Sequence, residues 1–124
     1  MKRKNRNIAV AQRILQEIHE VNEMLGPHTQ REFLDSKTLQ KATVMSLLNI
    51  GEQTKAFTDA FIDSTPWIPW QDMRSARNIA AHTYDALDMD DVWETYQSDL
   101  PALRGEMTKA IQRLQDGWEP KENP

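Results

Sequence analysis

The stretch Ile8–Pro27, IAVAQRILQEIHEVNEMLGP, decides the fold class of this chain. Its apolar residues recur at steps of three and four, which places them on one face of a helix. This stripe consists of Ile8, Ala11, Leu15, Ile18, Val21 and Leu25. Asn5 or Asn7 is expected to cap the start of the helix. Gly26 and Pro27 end it, because proline cannot continue a helix.

The same helical spacing continues toward the C-terminus. Thr29 is expected to cap a short turn, and a long helix is predicted from Ser36 to about Asp63. Gly51 lies in the middle of that helix, where glycine costs about 1 kcal/mol relative to alanine. We therefore expect another backbone to approach the helix closely at this position. Two prolines in residues 63–70, DSTPWIPW, end the helical pattern.

Two more long helices are predicted. The third begins near Pro69, because proline is well tolerated in a first turn. The fourth begins at about Asp90, its expected N-cap, and continues past Pro101 with a kink or a restart capped by Ser98 or Asp99. No stretch alternates as strands joined by hairpin turns would. The sequence thus predicts an all-α, up-and-down bundle of four main helices plus short helical turns.

Length and composition bound the class of protein. The 124 residues suit a single domain, residues 1–124, around one hydrophobic core. Without cysteine, disulfides and thiolate metal sites are excluded, which suits a cytoplasmic location. No apolar run approaches the roughly 20 residues that span a bilayer, and no apolar signal segment follows the basic N-terminus. Neither secretion nor membrane insertion is therefore expected.

The charge distribution is uneven. The formal net charge of −4 argues against a broad nucleic-acid-binding surface. Four of the 15 basic residues lie within the first six positions, so the remaining 11 face 19 acidic residues, a net of −8. These four are Lys2, Arg3, Lys4 and Arg6. Residues 1–6 are expected to form a flexible basic arm, which is either simply solvated or meets a phosphate backbone or an acidic partner. Residues 118–124 are expected to form a flexible tail.

The segment RNIAAHTY, residues 77–84, raises the question of chemistry. On a regular helix of about 100° per residue, Tyr84 shares the face of Arg77, whereas His82 lies roughly 140° away from it. Either the helix unwinds near His82, or a second copy of the chain supplies the partner residue. Each residue could instead have a structural role: an ion pair with Glu52 or a capping role for Arg77, a helix C-terminal position for His82, and packing for Tyr84.

The pattern R-N-x-x-x-H-x-Y resembles the signature of the HEPN superfamily and is closest to the HepT family of bacterial and archaeal toxin–antitoxin pairs. The likeness extends over most of the chain. LLNIGEQTK at Leu47–Lys55 resembles the family's mid-helix Gly-Glu segment, and WIPWQDMRSARNIAAHTY at Trp67–Tyr84 its catalytic helix. VWETYQSDLPAL at Val92–Leu103 resembles its last helix, including the proline. The resemblance implies a homodimeric HEPN fold.

The same resemblance implies a metal-independent endoribonuclease toxin of a type VII-like system, with two R-x4-H motifs facing each other across the dimer interface. Arg77 and His82 would be its catalytic residues, and Asn78 belongs to the motif. Glu52 could orient Arg77. Tyr84 matches the tyrosine that a cognate minimal nucleotidyltransferase antitoxin modifies with AMP. That partner uses ATP, while the chain itself is expected to need no cofactor and no metal.

These residue types suit RNA cleavage. The neighbouring 2′-hydroxyl can serve as the nucleophile if one group takes its proton and another protonates the leaving 5′-oxygen. Histidine can do either near neutral pH, and arginine offers a fixed fork of donors to the negative phosphorane. Positions expected to contact RNA phosphates are Arg74, Lys2, Arg3 and Lys4.

Two other readings stay open at this stage. The chain could be a catalytically silent helical partner that binds a nucleotidyltransferase. It could also be a monomeric bundle that binds a small molecule in an apolar internal pocket. His19 and His28 lack metal-ligand spacing and are expected at the surface or in loops. Asp90 and Asp91 fit a helix start better than a Mg²⁺ site. Trp67, Trp70 and Trp93 are expected to anchor helices to one another, and Trp118 is expected either to be exposed or to cover the end of the bundle.

Overall fold

The computed structural model describes residues 3–74 and 86–121. All regular structure within these ranges is helical, which confirms the all-α prediction. The helices are α1 (Arg3–Leu25), α2 (Gln30–Leu34), α3 (Lys37–Gln53), α4 (Asp59–Asp63), α5 (Met89–Glu94) and α6 (Leu100–Gln115). Residues 70–74 are also helical. A 3₁₀ turn, Thr54–Ala56, follows α3, and a π-helical turn, Thr95–Asp99, joins α5 to α6.

The hydrophobic core is built around α1, which packs against both α6 and α3. The predicted stripe is close to the buried face but slightly rotated. Val10 and Ile14 are fully buried, whereas Ile8 and Leu15 are only partly buried. Two helices cover α1, so its buried face is broader than a single stripe of every third or fourth residue. The largest fully buried side chains include Phe33, Phe61, Ile14, Ile18, Leu25, Met107 and Leu114.

Neither Asn5 nor Asn7 caps α1, because the helix already begins at Arg3. Asn7 is instead buried and reaches across to the segment that follows α3. The Thr58 N–H donates to Asn7 Oδ1 at 3.0 Å, and Asn7 Nδ2 donates to Thr58 Oγ1 at 3.1 Å. Nearby, Arg6 Nε donates to the carbonyl of Ala56 at 2.6 Å. A buried amide needs such partners, and these bonds tie the chain after α3 to α1.

The predicted continuous helix from Ser36 to Asp63 is wrong beyond Gln53. Ser36 does cap α3, as its side chain accepts from the Leu39 N–H. However, the chain tightens into the 3₁₀ turn and then leaves the helical conformation. Thr58 has an extended backbone and caps α4, accepting from the Phe61 N–H. The break arises because the bonds from Asn7 hold Thr58 outside a helix and leave its hydroxyl available as a cap.

A capping box begins α2, as expected at Thr29. Thr29 Oγ1 accepts from the Glu32 N–H at 3.2 Å, and Glu32 Oε1 accepts from the Thr29 N–H at 3.0 Å. The Thr29 N–H holds the pKa of Glu32 below its ordinary value, with a smaller contribution from His28. The stabilisation from this carboxylate is therefore complete above its ordinary pKa and is lost as the pH falls through the lower, folded-state pKa.

The helix after residue 85 is capped two positions earlier than predicted. Asp88, not Asp90, is the N-cap of α5, and its Oδ1 accepts from the Asp90 N–H at 2.8 Å. Asp88 has the extended backbone of a cap, whereas Asp90 already lies in the first helical turn. There its carboxylate faces the positive end of the helix dipole.

The irregularity predicted near Pro101 is confirmed, but it is not a restart capped by a side chain. The Leu100 N–H donates to the Thr95 carbonyl, five residues back, so the chain passes through a π turn before α6. Asp99 makes no capping bond, and Ser98 Oγ donates to Glu94 instead. Proline has no N–H to offer the preceding turn, and the wider π turn accommodates that loss without ending the helical path.

The C-terminal end of α6 is a Schellman turn. Gly117 has φ 101°, the Trp118 N–H donates to the Arg113 carbonyl at 2.9 Å, and the Gly117 N–H donates to the Leu114 carbonyl at 3.3 Å. Farther on, the Lys121 N–H donates to Ser64 Oγ at 3.0 Å. The tail expected to be flexible thus contacts the bundle as far as residue 121, and residues 122–124 lie outside the described ranges.

Two glycines of this region should respond oppositely to alanine. Gly105 lies inside α6 with open space around an added Cβ, so Gly105→Ala should stabilise the fold by about 0.5–1 kcal/mol. Gly117→Ala should destabilise it by about 1 kcal/mol, because the backbone there requires a positive φ. Urea unfolding of both variants measures the difference. A loss of stability in Gly105→Ala would contradict this account of α6.

Candidate functional site

The residues that the sequence analysis assigned to chemistry lie in one segment. Arg77, Asn78, His82 and Tyr84 all fall within residues 75–85, outside the described residues. Their roles therefore stay predictions. The structure describes the segments on either side of residues 75–85. It also describes Glu52, which is expected to orient Arg77, and Arg74, which precedes Arg77 by three positions.

The chain enters the 75–85 segment from a firmly packed helix start. Trp70 is only 7% exposed, and its ring meets Phe57 edge-on, with centroids 5.3 Å apart. Phe61 lies 6.0 Å from it. Trp70 Nε1 donates to both the carbonyl and the hydroxyl of Thr65, at 3.1 and 3.2 Å. The expected role of Trp70 as an anchor is confirmed, and its buried N–H has the partners that an indole needs.

The chain leaves the segment through an equally well-packed stretch. Leu87 and Met89 are partly buried against the core. Trp93 is buried and packs on Phe33, with ring centroids 5.3 Å apart, and on Tyr96 at 5.0 Å. Aromatic contacts of this kind stabilise a core beyond the area that they bury. The segment that carries the R-x4-H pattern is therefore attached at both ends to the rigid core.

Glu52 lies near the C-terminal end of α3. Its side chain is 44% exposed, and its Oε1 lies 3.4 Å from Lys55 Nζ. The neighbouring Gly51 is buried, and the close approach of another backbone there stays a prediction. Met45 precedes Glu52 by seven positions, which places both on the same face of α3, and it is 57% exposed. This face of α3 thus carries the partly exposed carboxylate of Glu52 and the exposed apolar side chain of Met45.

The candidate phosphate contacts are distributed as follows. Arg74 is exposed, at the last described position before residue 75. Residues 3–6 of the expected basic arm form the first turn of α1 rather than an irregular segment, and this turn includes Arg3 and Lys4. Lys2 lies outside the described residues. The exposure of Arg74 suits a contact with phosphate, and the contact itself stays a prediction.

A groove lies between residues 65–68 and α6, and the sequence did not predict it. Trp67 is 56% exposed and so does not anchor helices as expected. Its Nε1 donates to Glu106 Oε2 at 2.8 Å. The groove has a volume of about 210 Å³. We call it the Trp67 groove and define it by Thr65, Trp67, Glu106, Lys109, Arg113 and Trp118. No local pattern could reveal it, because Trp67 and Glu106 are 39 positions apart.

Other classes of site find no support in the described residues. Among them, no group of three or more histidine, aspartate or glutamate side chains is placed to hold a metal ion. Within the same ranges, no helix is both long and apolar enough to cross a membrane. His19 is exposed and lies 3.7 Å from Glu23, in keeping with the surface position expected of it.

The chain is similar to proteins of one known family. Residues 14–110 match the family described as "Ribonuclease HepT-like". The chain is 32% identical over 99 residues to the probable ribonuclease HepT of Thermococcus cleftensis, which covers 77% of this chain and 90% of that protein. It is 31% identical over 101 residues to a Methanocaldococcus jannaschii protein named a gamma-glutamylcyclotransferase and, provisionally, an RNase, with 82% of this chain and 46% of that protein covered.

A bacterial relative completes the comparison. A protein of Caldanaerobacter subterraneus subsp. tengcongensis, provisionally named an RNase, is 27% identical over 100 residues, covering 81% of this chain and 89% of that protein. No solved structure matches the chain significantly. The relatives are thus named for RNA cleavage, and the matched family range includes the whole R-x4-H segment.

Proposed function

The chain belongs to the HepT-like ribonuclease family, and from that premise we propose that it is an endoribonuclease in which Arg77 and His82 carry the chemistry. The observation that carries the proposal is the family match over residues 14–110, which includes both residues at R-x4-H spacing. The packed ends of the segment, at Trp70 and Trp93, support it. A site that must hold reacting atoms in place needs such a rigid frame.

The proposed reaction is an attack by the ribose 2′-hydroxyl on the adjacent phosphorus. A base takes the 2′-hydroxyl proton, a P–O bond forms to the 2′-oxygen, and the bond to the 5′-oxygen breaks as an acid protonates it. His82 suits the proton transfers near neutral pH, and Arg77 suits the charge that develops on the phosphorane. No metal is required, because the nucleophile and both proton transfers come from organic groups.

The site is proposed to be shared between two copies of the chain. On a regular helix, His82 would lie roughly 140° from Arg77, so one copy alone would not bring the two together. We propose that the second copy lies against the face of α3 that carries Met45, whose side chain is 57% exposed. Glu52 lies on the same face and could orient Arg77 there. A monomer in sedimentation analysis at assay concentration would contradict the shared site.

The proposed biological role is that of a toxin in a type VII-like pair with a minimal nucleotidyltransferase. Expression of the chain alone should then arrest growth, and Arg77→Ala or His82→Ala should relieve the arrest. A silent helical partner would arrest nothing, whether its residues were changed or not. This comparison of three strains, at matched protein levels, tests the proposal in cells.

Tyr84 is proposed as the point of control. AMP would be transferred from ATP to its hydroxyl: the Tyr84 oxygen would bond to the α-phosphorus of ATP, releasing pyrophosphate and the hydroxyl proton. The attached AMP would place a bulky anion beside the site and repel RNA phosphates. Tyr84→Phe should therefore keep the growth arrest even when the nucleotidyltransferase is co-expressed, while the wild type is silenced. Mass spectrometry of the purified proteins should show added AMP only in the wild type. Silencing of Tyr84→Phe by the partner would contradict control at this residue.

A further inference from the structure

Helix α6 has a net positive charge in an otherwise acidic chain, and two of its three basic residues lie on one side together with Glu106. Between Leu100 and Gln115 there are three basic residues and one acidic residue, a net of +2. The whole chain has a net charge of −4, so the remainder carries −6. Glu106, Lys109 and Arg113 are spaced by three and four positions and therefore share one side of the helix. That side faces the Trp67 groove.

The opposite wall of the groove presents an indole ring to solvent. Trp67 is more than half exposed, and the bond from its Nε1 to Glu106 fixes the edge of the ring while leaving ring surface accessible. The residues beside it are firmly held. Ile68 is buried, and Thr65 Oγ1 donates to the Phe61 carbonyl at 2.8 Å. The ring is thus positioned in advance, which reduces the entropy that binding would cost.

The third side of the groove pairs a cation with an aromatic ring. The Schellman turn after α6 brings Trp118 back beneath Arg113, whose guanidinium carbon lies 4.1 Å from the ring centroid. A guanidinium stacked in this way is held flat and still directs its N–H groups outward, toward an acceptor such as phosphate. Lys109 Nζ lies 4.0 Å from Glu106 Oε1 and is largely exposed.

We propose that the Trp67 groove binds one nucleotide of single-stranded RNA, with its base stacked on Trp67 and its phosphates beside Lys109 and Arg113. The inference rests on the proposed ribonuclease function, to which it adds a substrate contact outside the R-x4-H segment. Stacking on exposed aromatic rings combined with basic side chains is how single-stranded nucleic acid is commonly held.

The size and chemistry of the groove favour this ligand. Its volume of about 210 Å³ is below the roughly 300–1,000 Å³ of sites for larger small molecules, and it suits a single base. Glu106 accepts one bond from Trp67 and, as a carboxylate, keeps lone pairs for the N–H groups of a base edge. An apolar peptide side chain would pack on the indole of Trp67 but would offer no negative charge to Lys109 and Arg113.

Binding of labelled single-stranded RNA to a His82→Ala background tests the proposal without cleavage of the probe. Adding Trp67→Ala should weaken binding roughly tenfold, while Trp67→Phe should retain most of it. Lys109→Ala should weaken binding less and lower the slope of log affinity against log salt by about 0.7. Lys37→Ala, which removes an exposed lysine at the start of α3, is the matched control and should leave affinity unchanged. Circular dichroism checks that each variant is folded.

Equal affinities for the His82→Ala protein and its Trp67→Ala derivative would overturn the assignment of the groove to RNA. So would a Trp67→Ala protein that binds RNA normally but no longer binds the nucleotidyltransferase, because the groove would then be a protein-docking surface. Failure of the proposed function has a different signature. It would appear as wild-type protein that cleaves no RNA, whatever the effect of Trp67 on binding.

Discussion

His82→Ala is expected to lower the rate of RNA cleavage by a factor of about 100 to 10,000, the usual contribution of a positioned acid or base. In the proposed reaction, histidine moves the protons of the 2′-hydroxyl and of the leaving 5′-oxygen. Alanine offers no group for either transfer, and water would have to replace it. The rate should be measured with RNA at saturation, so that the loss reports chemistry rather than binding.

The chain contains a matched control for that change. His19 is exposed on α1 and pairs only with Glu23 among the described contacts, so His19→Ala should cleave RNA at the wild-type rate. Both variants lose one imidazole, and only their positions differ. Full activity of His82→Ala would show that His82 does not catalyse the cleavage. Equal losses of cleavage rate in both variants would indicate a general effect on the protein.

Trp70→Ala is expected to give the largest loss of stability, about 3–5 kcal/mol in the free energy of unfolding. The substitution removes a buried ring that packs on Phe57 and Phe61, and it leaves the Thr65 carbonyl and hydroxyl without their indole donor. The total free energy of unfolding of a domain of this size is roughly 5–15 kcal/mol. Urea unfolding at neutral pH measures the change.

Trp67→Ala is the companion measurement. It removes the same type of side chain three positions away, but from an exposed position whose one described hydrogen bond is at the surface. We expect it to cost less than about 1 kcal/mol. Similar losses for the two tryptophans would contradict the distinction drawn here between the buried anchor at the helix start and the exposed wall of the groove.

The helical class was predictable because its cause is local. The apolar spacing of α1 needs only one face to be buried, and Thr29 and Ser36 cap the helices that follow them, as their hydroxyls allow. The precise buried face was less predictable. Val10 and Ile14, outside the predicted stripe, are fully buried because α1 contacts two helices, a fact of packing that spacing alone does not contain.

The errors have non-local or competing causes. The break after α3 depends on Asn7 and Thr58, which are 51 positions apart. The cap of α5 was misplaced because Asp88 and Asp90 are chemically alike, and only the backbone conformation distinguishes them. The Trp67 groove depends on a bond across 39 positions. The break after α3 and the groove require knowledge of which distant segments meet, whereas the cap of α5 requires knowledge of the local backbone conformation.

The candidate site is predictable from the resemblance to a family and not from helical geometry. Helical geometry alone argued against a shared role for Arg77 and His82 in one chain, and it was the resemblance to HepT proteins that gave them roles. The family match confirms that resemblance over residues 14–110. The roles of Arg77, His82, Asn78, Glu52 and Tyr84 stay predictions, because a family match over a range of residues does not show what each side chain contacts.

The chemical groups at the ends of the cleaved RNA distinguish attack by the 2′-hydroxyl from metal-dependent attack by water. Purified protein should be incubated with a defined single-stranded RNA in the presence of a chelator, beside a His82→Ala preparation made in the same way. If the 2′-hydroxyl attacks and His82 moves the protons, fragments with 2′,3′-cyclic phosphate and 5′-hydroxyl ends should appear in the wild-type reaction alone. Fragments with 5′-phosphate ends, cleavage that requires added divalent metal, or no cleavage by the wild type would contradict this mechanism.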